Sequence, residues 1–149
     1  MTLSKHIQTI LNGTIESVKG VIPFEISLDT PAIFTQPFIL QSFGVLIGMT
    51  GDVRGRLIID GEEQVFSKIG EGMFGMHIEG EMLESFAGEL GNMIAGTLST
   101  SISQQGMEMD ITPPTVLVGQ TKIYGFEKAF HLTISIHNIG HIHIILMIE

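Results

Sequence analysis

The fold is decided near the C-terminus, in the run His131-Leu132-Thr133-Ile134-Ser135-Ile136-His137-Asn138-Ile139-Gly140-His141-Ile142-His143-Ile144-Ile145-Leu146-Met147-Ile148. Leu132, Ile134 and Ile136 alternate with His131, Thr133, Ser135 and His137. Beyond the Asn138-Ile139-Gly140 segment, Ile142, Ile144, Leu146 and Ile148 alternate with His141, His143, Ile145 and Met147. Successive strand side chains point to opposite faces, so a period of two around a glycine-containing turn predicts an antiparallel hairpin with one face on a core. Residues 142–148 read as an edge strand, open to pairing with another chain.

Upstream, residues 45–49 and 56–60 read as a second strand pair turned through Thr50-Gly51-Asp52, and residues 107–111 and 115–118 as shorter strands. Helical spacing occurs three times. In residues 4–18 it brings Ile7, Ile10, Leu11, Ile15 and Val18 to one side, with Ser4 as the N-cap and Gly20 and Pro23 as stops. Residues 62–74 form a shorter helix, weakened by Gly70 and Gly72, and residues 81–99 a longer one. Helices and strands come in blocks without strict βαβα alternation, which predicts an α+β fold with helices packed against a largely antiparallel sheet. The order helix, strand pair, helix, strands suggests two similar halves.

A chain of 149 residues fits one domain, 1–149, at roughly 100–200 residues per domain. It has no cysteine, which removes disulfide frameworks, zinc-thiolate sites and thiol catalysis. Hydrophobic residues at 44%, charged residues at 15% and a mean hydropathy of +0.38 argue for a buried core and against disorder. No apolar run approaches the roughly 18 residues of a membrane span. The segment Met1-Thr2-Leu3-Ser4-Lys5-His6 opens no signal-peptide core, so a cytoplasmic location is expected. Seven basic against 16 acidic residues give a net charge of −9, which argues against a nucleic-acid partner.

The helix of residues 81–99 carries the chemistry. Stepping about 100° per residue gathers Leu83, Phe86, Ala87, Leu90, Ile94 and Leu98 on one side, with Met82 and Met93 flanking. Ser85, Glu89, Asn92 and Gly96 stack on the other side, and Gly88 and Gly96 border that polar stripe. The apolar side must pack on the sheet, so the stripe faces outward on a rigid element. Glycine beside it lowers the local relief and lets another macromolecule approach. Any surface helix shows polar residues outward, so the stripe alone does not establish a site. Asn92 adds weight because asparagine is a mediocre helix former.

Ser85-x3-Glu89-x2-Asn92, then Met93-Ile94-Ala95-Gly96, and later Asp110-Ile111-Thr112-Pro113-Pro114-Thr115-Val116, resembles the CheC/CheX/FliY family of chemotaxis phosphatases. Ile47-Gly48-Met49-Thr50-Gly51-Asp52 before Arg54-Gly55-Arg56-Leu57 is similar to the family's central strand pair. The resemblance covers nearly the whole chain and is closest to the one-motif, CheX-like members. It implies a pseudo-two-fold domain and a homodimer paired through sheet edges. Pro113 and Pro114 follow Asn92 by 21 and 22 positions, slightly fewer than the family pattern, and the first helix offers no second Glu-x2-Asn, so one site per chain is expected. The activity implied is hydrolysis of the aspartyl phosphate of a CheY-like response regulator. Asn92 would orient the attacking water and Glu89 would pair with the receiver's active-site lysine. Ser85 would hydrogen-bond at the rim or fix Glu89, with Gly88 and Gly96 on the partner-facing surface. Magnesium would come with the receiver, and this chain would hold no metal or other cofactor.

Two other readings compete. The same fold could serve as a non-catalytic scaffold, as in flagellar-switch relatives. Alternatively, His131, His137, His141 and His143 share one face of the predicted hairpin and suggest a metal site, or a patch sensitive to mild acid. No neighbouring Asp or Glu is expected to support such a site. Asp60 and Asp110, at strand ends where an enzyme could place acids, read as structural turn residues. Met73, Met76, Met82 and Met93 offer an adaptable binding surface or, as the preferred reading, fillers of core gaps.

Overall fold

The computed structural model describes residues 2–35, 37–40, 42–126 and 128–148. Helix α1 (Thr2–Val21) is followed by three short strands, β1 (Ile26–Leu28), β2 (Ala32–Phe34) and β3 (Phe38–Leu40), then by the hairpin β4 (Phe43–Gly51) and β5 (Gly55–Gly61). After α2 (Glu63–Phe74) the order repeats. Helix α3 (Glu81–Gln104) leads to β6 (Met109–Ile111), β7 (Thr115–Val118) and β8 (Thr121–Ile123), then to the hairpin β9 (Ala129–Ile136) and β10 (Gly140–Ile148).

The two hairpins lie side by side in one antiparallel sheet, ordered β1-β9-β10-β5-β4-β6, with β2 also on β9 and β7 also on β4. Strands β5 and β10 meet at its centre, Ile59 opposite Ile144 and Leu57 opposite Leu146. Each half lends its short strands to the other's hairpin: β1 and β2 pair with β9, β6 and β7 with β4, and β3 pairs with β8. That exchange is the pseudo-two-fold of this α+β fold, and α2 stands outside it.

Alternation along the strands explains the core. Phe130, Leu132, Ile134 and Ile136 of β9 and Ile142, Ile144 and Leu146 of β10 are buried under the helices with Val45, Ile47, Leu57 and Ile59. Burying each such side chain contributes about 1.5–3 kcal/mol. The opposite face carries a smaller core of Ile58, Ala129, Ile145 and Met147 beneath Leu40 of β3 and Ile123 of β8. Two-sided burial accounts for the unbroken apolar run Ile144-Ile145-Leu146-Met147-Ile148.

Three expectations change. Residues 142–148 are not an edge strand, because β10 is bonded to β9 on one side and β5 on the other. Ser4 is not an N-cap, since α1 begins at Thr2 and Ser4 lies within its first turn. The long helix continues past residue 99 to Gln104, where Ile102 is still buried.

Candidate functional site

Helix α3 presents the polar stripe as its spacing requires. Leu83, Phe86, Ala87, Leu90, Ile94, Leu98 and Ile102 are buried, while Ser85, Glu89 and Asn92 are exposed. Gly91, between the two motif residues, seats the helix on the sheet. A Cβ there would stand 2.7 Å from Val45 Cγ1 and 3.2 Å from Ile47 Cδ1. Only glycine lets α3 lie this close to β4, and that contact sets how far Glu89 and Asn92 stand from the body of the protein.

The facing wall is the segment between β6 and β7. Thr112 anchors it to β4: Gly48 N–H donates to Thr112 Oγ1 at 2.8 Å, and Thr112 N–H donates to Gly48 O at 2.9 Å. Pro113 and Pro114 follow with their φ angles locked, which stiffens the wall. Between wall and helix lies an open cleft of about 580 Å³. Glu84, Ser85, Glu89 and Asn92 line one side, Thr112 and the two prolines the other. Among the described residues no lysine or arginine lines it. Neither Glu89 nor Asn92 has a hydrogen-bond or ion-pair partner among the described residues. The carboxylate and the amide are therefore free to engage groups from outside.

The glycines beside the stripe behave differently from each other. Gly96 meets nothing within 4 Å of a Cβ position and borders open space, as expected. Gly88 is buried, with Val116 Cγ2 and Pro114 Cγ at 3.6 and 3.7 Å from its Cβ position, so the chain's own proline segment covers it. Ser85 makes no bond to Glu89 among the described residues and stands at the cleft rim. Met82 and Met76, 53% and 51% exposed, are not core fillers, whereas Met73 does pack against the core.

The histidines gather on the sheet face away from the helices. His131 Nε2 and His143 Nδ1 lie 2.9 Å apart, one ring N–H donating to the other ring's lone pair. Ser135 Oγ and His141 Nδ1 are also 2.9 Å apart. His137 does not join them. It lies past the end of β9, lining a cleft with Phe24, Glu25 and Lys68. An acidic neighbour is present after all: Asp60 of β5 is in register with His143. Among the described residues its Oδ1 is buried without a partner, and burial pushes the carboxyl up to about 6 despite a backbone bond from Gly61. Burial, reinforced by the neighbouring imidazoles, lowers the pKa of both His131 and His143. Among the described residues, no three His, Asp or Glu side chains converge to hold a metal ion.

The family model described as "Chemotaxis phosphatase CheX" matches residues 43–133, which include the whole of α3 and the proline wall. The chain belongs to the CheX family of chemotaxis phosphatases. The CheY-P phosphatase CheX of Thermotoga maritima is 32% identical over 138 residues, covering 89% of this chain and 88% of that protein. A CheC-like superfamily protein from Shewanella sp. PV-4 superposes with a TM-score of 0.79 at 26% identity, covering 96% of each chain. The CheX–CheY–BeF3–Mg2+ complex from Borrelia burgdorferi gives 0.79 at 23% identity, covering 96% of this chain and 97% of that one. The helical and strand periodicities do not mark Gly91 or the Thr112–Gly48 clasp. The signal for Gly91 was present: a glycine inside a strong helix, next to the motif asparagine, marks close packing as well as low relief.

Proposed function

We propose that this CheX-family chain hydrolyses the aspartyl phosphate of a CheY-like response regulator, with Asn92 orienting the attacking water and Glu89 pairing with the receiver's active-site lysine. One observation carries the reading: an exposed carboxylate and carboxamide, three residues apart on a rigid helix, with no internal partner and a stiff wall opposite. The demands of the reaction are modest. Water oxygen bonds to phosphorus, the acyl oxygen–phosphorus bond breaks, and the receiver's carboxylate and inorganic phosphate are the products. Because the transition state is loose, positioning a water in line is most of the task. An amide both accepts from and donates to that water. Glu89 facing a lysine fixes register, and the attraction strengthens as the interface dries.

Among the described residues the cleft has no lysine or arginine to bind phosphate, so the receiver's pocket supplies those groups, magnesium included. The magnesium and beryllofluoride of the Borrelia burgdorferi CheX–CheY complex agree with this reading. Ser85 stands at the rim of the contact, Gly96 lies within it, and Gly88 lies behind the proline wall, supporting the cleft from beneath. The cytoplasm is the compartment of both proteins. A homodimer formed at the sheet edges completes the proposal, supported by Ile33 of β2 and Val118 of β7, 58% and 59% exposed. Sedimentation equilibrium showing only monomer at micromolar concentration would remove that part.

The decisive experiment follows decay of phosphorylated receiver with the unaltered chain and with Asn92→Ala. The expected result is acceleration by the first and a loss of about 100-fold or more in the second, the scale of losing one positioned group. Equal decay with both would make the chain a scaffold.

A further inference from the structure

Next to the polar cleft, on the same helix, lies a second groove of about 690 Å³ with a different chemistry. Its walls are Phe74, Met76, Met82 and Phe86, and the first three are 57%, 51% and 53% exposed. Large apolar side chains clustered in water, on a helix layer otherwise polar outside, mark an interaction site.

The local sequence builds this exposure. Helix α2 ends at Gly75, whose φ of 72° turns the chain out of the helix. Ile78, 3% exposed, then plugs the connection back into the core, where its Cδ1 lies 2.8 Å from a Cβ placed on Gly70. Ser67 Oγ–H donates to Ile78 O at 2.7 Å and clamps the same point. Phe74 stands edge-on to Phe86 with ring centroids 5.8 Å apart. Met76 is thus held clear of the core by a pinned connection, and the groove exists before any partner arrives. Preformed grooves avoid part of the ordering cost of association.

Ser85 and Glu89 line both the groove and the polar cleft. A protein surface docked over Glu89 therefore lies beside the methionines. The charges lining the groove, Glu81 and Glu89, are both negative, and among the described residues no lysine or arginine lines it. The complementary partner has an apolar protrusion flanked by basic side chains.

We infer that this groove is the docking surface for the phosphorylated receiver. It takes apolar side chains beside the receiver's phosphorylation pocket, so that docking affinity resides in Phe74, Met76 and Met82 and chemistry in Asn92. This rests on the function proposed above and adds the division of labour: a groove that holds substrate and transition state equally affects KM and leaves kcat alone. Methionine suits such a surface because its unbranched side chain adapts to the shape it meets.

The test uses the full chain with Met76→Ser, Met82→Ser and the double variant, beside Tyr124→Ser as a remote exposed control. The probes are the CheY-like receivers of the source organism, phosphorylated by acetyl phosphate for turnover or loaded with beryllofluoride for binding. The expected result is a KM and a Kd raised about tenfold by each single substitution, the size of effect that truncating a central interface side chain has. The kcat should stay within about twofold and the thermal midpoint should not move, because both methionines are exposed. A double variant with unchanged KM and Kd, beside an active unaltered chain, overturns the inference and leaves the proposed function standing. A loss confined to kcat overturns it too, as does a double variant that no longer dimerises, which would make the groove a contact between copies of this chain. An unaltered chain that neither binds nor dephosphorylates any receiver overturns both.

Discussion

Gly91→Ala tests whether α3 is seated as closely as the geometry requires. In an unconstrained helix interior this substitution gains about 1 kcal/mol, because alanine loses less backbone entropy. At Gly91 the new methyl group would sit 2.7 Å from Val45 Cγ1 and 3.0 Å from Val45 Cγ2, against the 3.4 Å at which ordinary contact begins. Val45 is 1% exposed and β-branched, so it has no free rotamer into which to retreat. The helix must lift by about 0.7 Å. Overpacking of this kind costs about 1–3 kcal/mol, which leaves a net loss of about 1 kcal/mol. Gly96→Ala provides the internal standard, since nothing lies within 4 Å of its Cβ position and the full helix gain of about 1 kcal/mol should appear. The two alanine variants should therefore differ by about 2 kcal/mol in urea unfolding at equal m-value. Lifting the helix also displaces Glu89 and Asn92 from the proline wall. Turnover of phosphorylated receiver by Gly91→Ala should fall about tenfold, within the range that sub-ångström misplacement produces. A Gly91→Ala protein as stable as Gly96→Ala, with unaltered turnover, would refute the close seating and the rigid presentation argued from it.

Asp60→Asn should stabilise the protein at pH 7.5 and not at pH 4. Burial raises the Asp60 carboxyl from 3.8 to about 6, so the folded chain holds a proton between those values that the unfolded chain has released. Stability from this group therefore falls as pH rises through that window, and the ionised carboxylate opposes folding above it. For this half-buried group solvent screening reduces the gain to about 1 kcal/mol. Urea unfolding at the two pH values checks it, and an equal gain at both would refute it. The lowered pKa values of His131 and His143 act with the opposite sign, costing stability as pH falls below the usual histidine range, and are common to both proteins at each pH. Thr112→Val removes the acceptor for Gly48 N–H and should cost about 1 kcal/mol. Amide exchange at Gly48 should quicken as the proline wall loosens, and unchanged protection would count against the clasp.

Much of the site could be read without coordinates because helical periodicity is a local property. Once Leu83, Phe86, Leu90, Ile94 and Leu98 are assigned to the core, Ser85, Glu89 and Asn92 have no direction left but outward, and they are exposed. The α+β class followed from the same kind of pattern, period two in the last hairpin and blocks of helix and strand before it. What could not be read depends on residues distant in the chain. Whether β10 is an edge or a central strand turns on pairing with β5, more than 80 residues away. The sole local hint was that Ile145 and Met147 are apolar where a one-sided strand would be polar. Asp60 meets His143 by the same non-local register.

The helical or extended character of the three helices and the two long hairpins, the apolar and polar sides of α3, and the acidic, cysteine-free composition are determined by the sequence alone. They depend on chain geometry over a few residues, which every copy of that stretch carries with it. Tertiary structure decides which glycine is covered and which open, which methionines face water, and what stands across from Glu89 and Asn92. Gly88 and Gly96 occupy similar positions on the same helix, yet Pro114 and Val116 pack over only the first. That difference comes from how β6 and β7 pair on β4, a contact between segments about 65 residues apart whose closure depends on the core as a whole.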